Sequence, residues 1–210
     1  MSETLEQGGL RVVKLGGSLL DWPKFPERLR EWLTHQSPAC NVLIAGGGPF
    51  ADVVRAADHQ HALGELISHK LCIELLTVTA HLVGHLLPEA AGPYVPQRIE
   101  PSFEARLVLL DVTKLIELDT ERSVRPLPAS WDVTTDSIAA RASILLQASE
   151  LVLLKSALAP KGMHLRELAA GGFVDTHFPV CAKSIEKIRF VNLRDEQFSE
   201  RMLVKGHPSR

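Results

Sequence analysis

The amino-acid sequence predicts an α/β fold, a three-layer αβα sandwich around a mostly parallel central sheet. Short apolar runs of strand length alternate with longer segments of helical spacing along the whole chain. The runs are apolar throughout, which is typical of strands that helices cover on both faces. A length of 210 residues suits one domain, so we expect 1–210 to form a single unit.

The first half of the chain contains two units in which a strand, a glycine turn and a helix follow one another. Residues 10–15 and 41–45 are rich in Val, Leu and Ile and predict strands. Apolar residues at helical spacing predict a helix over 26–36. Another helix begins near Pro49, since proline is tolerated in the first turn, and a long helix covers 65–87.

The second half of the chain continues the alternation of strands and helices. Thr134 or Thr135 is a plausible cap for one of its helices. The segment nearest the C-terminus suits either a helix or a strand. The predicted elements are a strand over 106–112, a loop and helix over 131–147, a strand over 150–156, a short helix that starts at 165 and ends at Gly171 and Gly172, and a helix or strand over 183–193.

Composition and charge argue against several classes of protein. A formal net charge of −2 gives no reason to expect nucleic acid as a partner. The three cysteines are widely spaced and form no CxxC pair, which favours a reducing compartment over a disulfide framework or a zinc site. The polar start does not resemble a signal peptide, and the most apolar stretch, 71–87, carries Glu74 and two histidines. We therefore expect a soluble, cytoplasmic protein without a membrane span.

Glycine clusters follow the first two predicted strands, GGS at 16–18 and GGG at 46–48. Backbone N–H groups in such turns can approach an anion, and the N-terminus of a following helix attracts negative charge. Lys14 stands beside the first turn, at the strand end where ligands collect in parallel sheets. Phosphoryl transfer needs mainly positive charge and fixed donors, so the pattern predicts a phosphate site. The alternative is two simple tight turns; no P-loop or GxGxxG motif is present.

Three segments occur in the order typical of one family: VVKLGGSLL, VLIAGGGPFADVVR and DVTTDSIAARAS. Over roughly residues 10–180 the chain resembles the amino acid kinase family. It is most similar to a short, aspartokinase-like branch with an archaeal member in methanofuran synthesis, on GGGPFADVVRAAD, His69, GHLLPEA, WDVTTDSIAA and GFVDTHF. The resemblance implies transfer of the γ-phosphoryl group of ATP to a small, phosphorylated acceptor such as an aminomethylfuran phosphate.

The resemblance also implies roles for residues that match the family motifs. Lys14 would contact the transferred phosphoryl group, and Asp136 would orient the active-site lysines. Asp136 could instead cap a helix, and both roles can hold at once. The implied nucleotide-binding residues are Gly16, Gly17 and Ser18, and the implied acceptor-binding residues are Gly46, Gly47 and Gly48.

Four further residues are candidates for the acceptor site. Arg55 follows the GGG turn by about two helical turns and could bind an anion bidentately, or lie on a solvated helix face. His69 opens the long helix and could reach the acceptor or make a structural hydrogen bond. Thr134 and Thr135 precede Asp136 and could bind phosphate or acceptor, or act only as caps.

The chain departs from the family at LVLLKSALAP, where related kinases place an acidic turn near the nucleotide. Lys155 and Ser156 stand there, and Lys155 could reach the ATP phosphates or be a surface lysine. Lys161 is the candidate for the second catalytic lysine of the family. The departure leaves a second hypothesis, a catalytically altered member that binds nucleotide or metabolite as a storage, scaffold or regulatory subunit.

The implied cofactors are ATP and Mg²⁺, and the implied partner is a small-molecule phosphoryl acceptor. The family suggests a homodimer or higher homo-oligomer, with the long apolar helix as its contact. His81 and His85 have the i, i+4 spacing of metal ligands, but no third ligand is evident. We therefore predict no metal site formed by protein residues.

Overall fold

The central element of the protein is a sheet of seven strands, in a computed structural model that describes residues 9–96 and 106–204. The strand order is β3-β4-β2-β1-β5-β6-β7, and every neighbouring pair is parallel except β6 and β7. The strands are β1 Leu10–Leu15, β2 Cys40–Ala45, β3 Ala91–Tyr94, β4 Leu107–Leu110, β5 Glu150–Lys155, β6 Lys187–Asn192 and β7 Glu200–Val204.

Helices cover both faces of this sheet, so the predicted three-layer sandwich is confirmed. The helices are α1 Phe25–Thr34, α2 Pro49–His61, α3 Glu65–Leu86, α4 Val112–Arg122, α5 Thr135–Leu145, α6 Leu165–Ala170 and α7 Phe178–Cys181. Alternate residues of β1 enter different cores: Val12 packs in the cluster that includes Ile138 of α5, and Val13 in the cluster that includes Trp32 of α1. All six residues of β1 are buried, which explains why its sequence is apolar apart from Arg11 and Lys14.

The sequence patterns located most of these elements. The segment that suited a helix or a strand is the strand β6, and the predicted strand at 106–112 ends at Leu110. It stops there because Asp111 caps α4, accepting a hydrogen bond from the backbone N–H of Lys114 at 3.1 Å. Four of the described strands and helices were not predicted: β3, which contains glycine and proline, the antiparallel strand β7, and the helices α4 and α7.

The strand order brings both glycine turns to one edge of the sheet. β1 lies between β2 and β5, so the turns after β1 and β2 are neighbours and the end of β5 lies on the other side. Lys14 is paired with Leu153, and Lys155 follows two residues later on the same strand. Because side chains alternate along a strand, both lysines leave the sheet on the same face, the face that α5 covers.

The long helix α3 has an exposed apolar face as well as a buried one. By length and a mean hydropathy of 1.4 it is the one helix in the described ranges that could cross a membrane. Ile73, Leu76 and Val83 are nevertheless buried in the core of the protein. On its outer side, Leu66 is 70% exposed and Val78 is 49% exposed. A helix that lies at the surface of a globular domain is buried along one side and exposed along the other, as α3 is.

Candidate active site

The centre of the site is the carboxylate of Asp136, which lies between two lysine side chains. The ammonium of Lys14 is 2.9 Å from Oδ1, and that of Lys155 is 2.6 Å from Oδ2. Lys155 also donates a hydrogen bond of 2.8 Å to the carbonyl oxygen of Phe173. The contact with Lys14 has an ion-pair distance without a hydrogen-bond angle, so Oδ1 accepts no hydrogen bond from the described residues. Three charged groups thus meet in a nearly dry environment, where electrostatic interactions are strong.

Burial and mutual charge alter the protonation of this triad. Burial alone would raise the pKa of the Asp136 carboxyl, but the positive charges of Lys14 and Lys155 lower it below its ordinary value. Burial, together with the charge of Lys14, lowers the pKa of Lys155 to about 8, against the opposing effects of Asp136 and Asp175. Near neutral pH the site therefore carries one negative and two positive charges, a net charge suited to a phosphoryl group.

The first turn of α5 holds Asp136 in place. Thr134 caps this helix, and its hydroxyl accepts from the backbone N–H of Asp136 at 3.5 Å. Asp136 belongs to the first turn, where a helix favours negative charge. The predicted capping role of Thr134 is therefore present. Asp136 itself is a member of the first turn, not the cap residue.

The two glycine turns pack directly against each other, backbone to backbone. A Cβ atom on Gly17 would come within 2.3 Å of the backbone nitrogen of Gly48. A Cβ on Gly46 would lie 2.7 Å from the nitrogen of Gly17. Gly48 has a φ of +54°, which glycine adopts without strain. Part of the reason for glycine at these positions is therefore the contact between the turns.

A cavity of about 180 Å³ opens beside the turns, between α2, α3 and the start of α5. Six of the seven residues predicted for the acceptor site line it, and Gly46 is the exception. Its walls also include apolar side chains. The described residues that line it include no aspartate or glutamate. The lining residues are Gly17, Gly47, Gly48, Ala51, Arg55, His69, Cys72, Ile73, Leu76, Trp131, Val133, Thr134, Thr135 and Ile138.

Trp131 connects the cavity to α2. Its indole N–H donates to a carboxylate oxygen of Asp58 at 2.9 Å, and the guanidinium of Arg55 lies 5.5 Å from the centre of its ring. Arg55 also forms an exposed ion pair with Asp52. Arg55 is thus on a solvated face, as one alternative predicted, and at the cavity as well.

His69 is buried at the cavity wall. Its Nδ1 lies 3.2 Å from the carbonyl oxygen of Ser130, which can only accept, so Nδ1 carries the proton. Burial lowers the pKa of the His69 imidazole, which favours the neutral form. In that form Nε2 is a hydrogen-bond acceptor. The predicted structural hydrogen bond of His69 is therefore present, and it fixes the tautomer beside the cavity.

Polar groups also gather on the other side of the first glycine turn. The hydroxyl of Ser18 donates to that of Ser156 at 3.0 Å, linking the ends of β1 and β5. Arg194, which follows β6, donates to the backbone oxygen of Ser18 at 2.8 Å and lies over the ring of Trp22 at 5.4 Å. This edge therefore presents hydroxyl groups and a guanidinium on the side of the turn away from the cavity.

The position of Lys155 differs in part from the sequence-based expectation. Lys155 was expected either to reach the ATP phosphates or to be a surface lysine; its ammonium lies on Asp136 opposite Lys14, so the surface alternative is wrong. Lys161, the candidate for a second lysine, is exposed in the loop before α6. Lys155 rather than Lys161 therefore shares the carboxylate with Lys14. Sequence reasoning could not choose between them without the register of β1 and β5.

Three residues of the site were not predicted from the sequence. Trp131 and Asp175 belong to motifs that carried the family resemblance, WDVTTDSIAA and GFVDTHF, but neither was assigned a role. Arg194 lies far from every glycine motif and gave no sequence signal. Only the strand order, which places β6 beside β5, brings it to the first glycine turn.

Comparisons with known proteins identify a family and a shared fold. The sequence model of the amino acid kinase family matches residues 9–157 of the chain. A curated relative, the [5-(aminomethyl)furan-3-yl]methyl phosphate kinase of Methanocaldococcus jannaschii, is 28% identical over 148 residues. That match covers 69% of this chain and 64% of the relative, so the chain spans just under two thirds of the length of that protein.

Solved structures share the fold at low sequence identity. The aspartate kinase from Synechocystis superimposes with a TM-score of 0.62 at 15% identity, over 96% of this chain and 40% of that one. The uridylate kinase from Archaeoglobus fulgidus gives 0.56 at 17% identity, over 85% and 88%. The UMP kinase from Ureaplasma parvum gives 0.56 at 10% identity, over 94% and 100%. At these identities the likeness shows the fold alone.

Proposed function

The chain belongs to the amino acid kinase family, and on that premise we propose that it is a phosphotransferase that moves the γ-phosphoryl group of ATP to a small acceptor. The observation that carries the proposal is the position of Asp136 between Lys14 and Lys155, beside two contacting glycine turns. Phosphoryl transfer depends mainly on positioning and on charge stabilisation, and these groups supply both.

In this proposal, the transferred group contacts both ammonium groups, which Asp136 holds close together. An acceptor oxygen attacks the γ-phosphorus in line, and the bond from that phosphorus to the oxygen bridging to the β-phosphate breaks. ADP leaves with the electron pair of that bond. Lys14 and Lys155 neutralise charge on the moving oxygens, and Asp136 fixes the positions of both ammonium groups. No covalent enzyme intermediate is required.

The two substrates would lie on opposite sides of the first glycine turn. The acceptor occupies the cavity lined by Gly47, Gly48 and His69. The nucleotide phosphates occupy the side of Ser18 and Ser156, next to Arg194. Mg²⁺ would be held largely by the phosphates of ATP, as is common for this ion, where it would neutralise part of their charge.

The chemistry of the cavity favours an acceptor that is already ionised. An alcohol must lose a proton as it attacks, and the described residues that line the cavity include no carboxylate to accept it, which leaves the neutral imidazole of His69 as the candidate base. A phosphate monoester has its second pKa at about 6, so its oxygen is a nucleophile at neutral pH without a base. We therefore propose a phosphorylated acceptor that becomes a diphosphate.

The curated relative gives this acceptor a concrete form. It is named as a kinase of an aminomethylfuran methyl phosphate, a planar ring with a phosphate arm. The apolar walls and the indole of Trp131 suit such a ring. We propose an aminomethylfuran phosphate or a close analogue as the acceptor, in the synthesis of a methanofuran-type one-carbon carrier.

The test is phosphoryl transfer measured directly. The protein is incubated with ATP, Mg²⁺ and, in turn, an aminomethylfuran phosphate, the matching alcohol, UMP and aspartate, and the products are followed by ³¹P NMR. The expected result is a new diphosphate signal and stoichiometric ADP only with the phosphorylated furan. ATP binding without ADP release for every acceptor would instead support the alternative of a non-catalytic, nucleotide-binding subunit.

Lys14→Ala tests the role of the first lysine in the transfer. Its turnover should fall by about 100-fold or more, the scale of one transition-state charge contact. Lys114→Ala is the control, because Lys114 also pairs with a carboxylate, that of Glu117, but on an exposed face of α4. Near-normal turnover of a folded Lys14→Ala variant would contradict the assigned role.

A further inference from the structure

The carboxylate of Asp175 is the most heavily hydrogen-bonded acceptor near the site. Oδ2 accepts from the backbone N–H and hydroxyl of Thr134 at 3.0 and 2.8 Å, and from the backbone N–H of Ser137 at 2.9 Å. Oδ1 accepts from the hydroxyl of Ser137 and from the backbone N–H of Phe178 at 2.8 Å. Four of these five hydrogen bonds come from residues on either side of Asp136.

These contacts join parts of the chain that are far apart in sequence. Asp175 precedes α7 and is separated by 41 residues from Thr134. Two residues before it, the carbonyl oxygen of Phe173 accepts the hydrogen bond of Lys155, and the Phe173 ring lies 5.3 Å from the same ammonium. The segment 173–175 therefore contacts Lys155 directly and binds Thr134 and Ser137, the residues on either side of Asp136.

Asp175 also contributes to the charge around Lys155. The charged groups near this ammonium are Lys14 from β1, Asp136 from α5 and Asp175 from the loop before α7. Lys14 opposes the protonated form of Lys155, and both carboxylates favour it. Asp136 is shared with Lys14, whereas Asp175 is not. Asp175 is thus a second source of negative charge for a buried lysine.

We infer that Asp175 is a positioning residue that holds Asp136 and Lys155 in one fixed arrangement and keeps Lys155 charged. The expected effect of Asp175 on the reaction rate rests on the proposed function, whereas its expected effect on the structure does not. Asp175 acts through the first turn of α5 and through the field at Lys155. It touches neither substrate nor the transferred group.

The test that needs no turnover is a titration of the Lys155 ammonium by ¹⁵N NMR. In Asp175→Asn, the midpoint for Lys155 should shift to lower pH by about half a unit or more, because a nearby negative charge is gone. Asp132→Asn is the matched control: it removes the same charge from an exposed carboxylate that binds Thr176 at 2.7 Å. Its Lys155 midpoint should stay unchanged. An unchanged midpoint in folded Asp175→Asn overturns the inference, whatever reaction the protein catalyses.

The kinetic test uses the phosphoryl-transfer assay. Asp175→Asn should reduce kcat by about tenfold or more with little change in either KM, since positioning acts on the transition state. Asp175→Glu restores the charge, so it should return the Lys155 midpoint towards that of the parent. If Asp175→Asn does not fold, two other variants take its place: Asp175→Glu, and Ser137→Ala, which deletes one hydroxyl donor to Asp175. If kcat is unchanged in both of them, the inference is overturned.

Discussion

Alkaline pH should inactivate the protein by removing the charge of Lys155. Burial and the neighbouring Lys14 lower the pKa of Lys155 to about 8, so its ammonium form dominates at neutral pH and is lost above it. With that pKa, about 90% of the molecules carry the charge at pH 7 and about 10% at pH 9. If only the charged form stabilises the transferred phosphoryl group, kcat/KM for ATP should fall about tenfold over this interval.

The assay is the rate of ADP formation between pH 7 and 9.5, with the acceptor held well below its KM and ATP varied. The value of kcat/KM reports the free enzyme, so its midpoint should lie near that of Lys155. The midpoint for kcat should lie at higher pH, because bound phosphates favour the ammonium form. Circular dichroism at each pH shows whether the protein stays folded.

Lys155→Arg is the variant that isolates the cause. A guanidinium stays charged throughout this range, so the variant should lose the alkaline decline even if its rate is lower. Lys155→Met, which carries no charge, should be slow at every pH. The same alkaline decline in folded Lys155→Arg and in the parent would refute the assignment, since the titrating group would then lie elsewhere.

Two further predictions follow from the glycine turns and their surroundings. Gly17→Ala should lower the free energy of unfolding by about 3 kcal/mol, or roughly 6–12 °C in Tm, because its Cβ would meet the rigid backbone of Gly48. Gly171→Ala, whose Cβ would make only an ordinary contact at 3.4 Å, is the control, and equal Tm values would disprove the packing argument. Arg194→Ala should raise KM for ATP about tenfold and leave that for the acceptor unchanged, because its guanidinium donates to Ser18, on the side of the turn that we propose for the nucleotide. A larger rise in the KM for the acceptor than in the KM for ATP would contradict the proposed position of the nucleotide.

The sequence was sufficient to predict the sandwich because most of its central strands are largely apolar runs and the first two are followed by glycine turns. The same patterns missed β3, since Gly92 and Pro93 interrupt it, and β7, whose polar and apolar residues give a weak signal. Strand order is not written in local composition. It results from packing and from long-range pairing, which a short window of sequence does not contain.

The candidate site could be predicted in its parts more readily than in its arrangement. Lys14, Asp136 and the glycine turns belong to contiguous motifs, so local sequence identified them. The partnership of Lys155 with Asp136 depends on which residue of β5 pairs with Lys14, and the role of Asp175 depends on a contact across 38 residues from Ser137. Such relations arise only from tertiary structure.

The contact between the two glycine turns has a thermodynamic consequence. Gly17 and Gly48 leave no space between their backbones, so a displacement of one turn is transmitted to the other without an intervening side chain. Occupancy on one side then biases the conformation that the other ligand meets, and such a bias is reciprocal. The dissociation constant of ATP should change on saturation with acceptor by the same factor as that of the acceptor on saturation with ATP. Calorimetry with a non-hydrolysable ATP analogue measures both, and the two glycine turns would make nucleotide and acceptor binding a single coupled equilibrium.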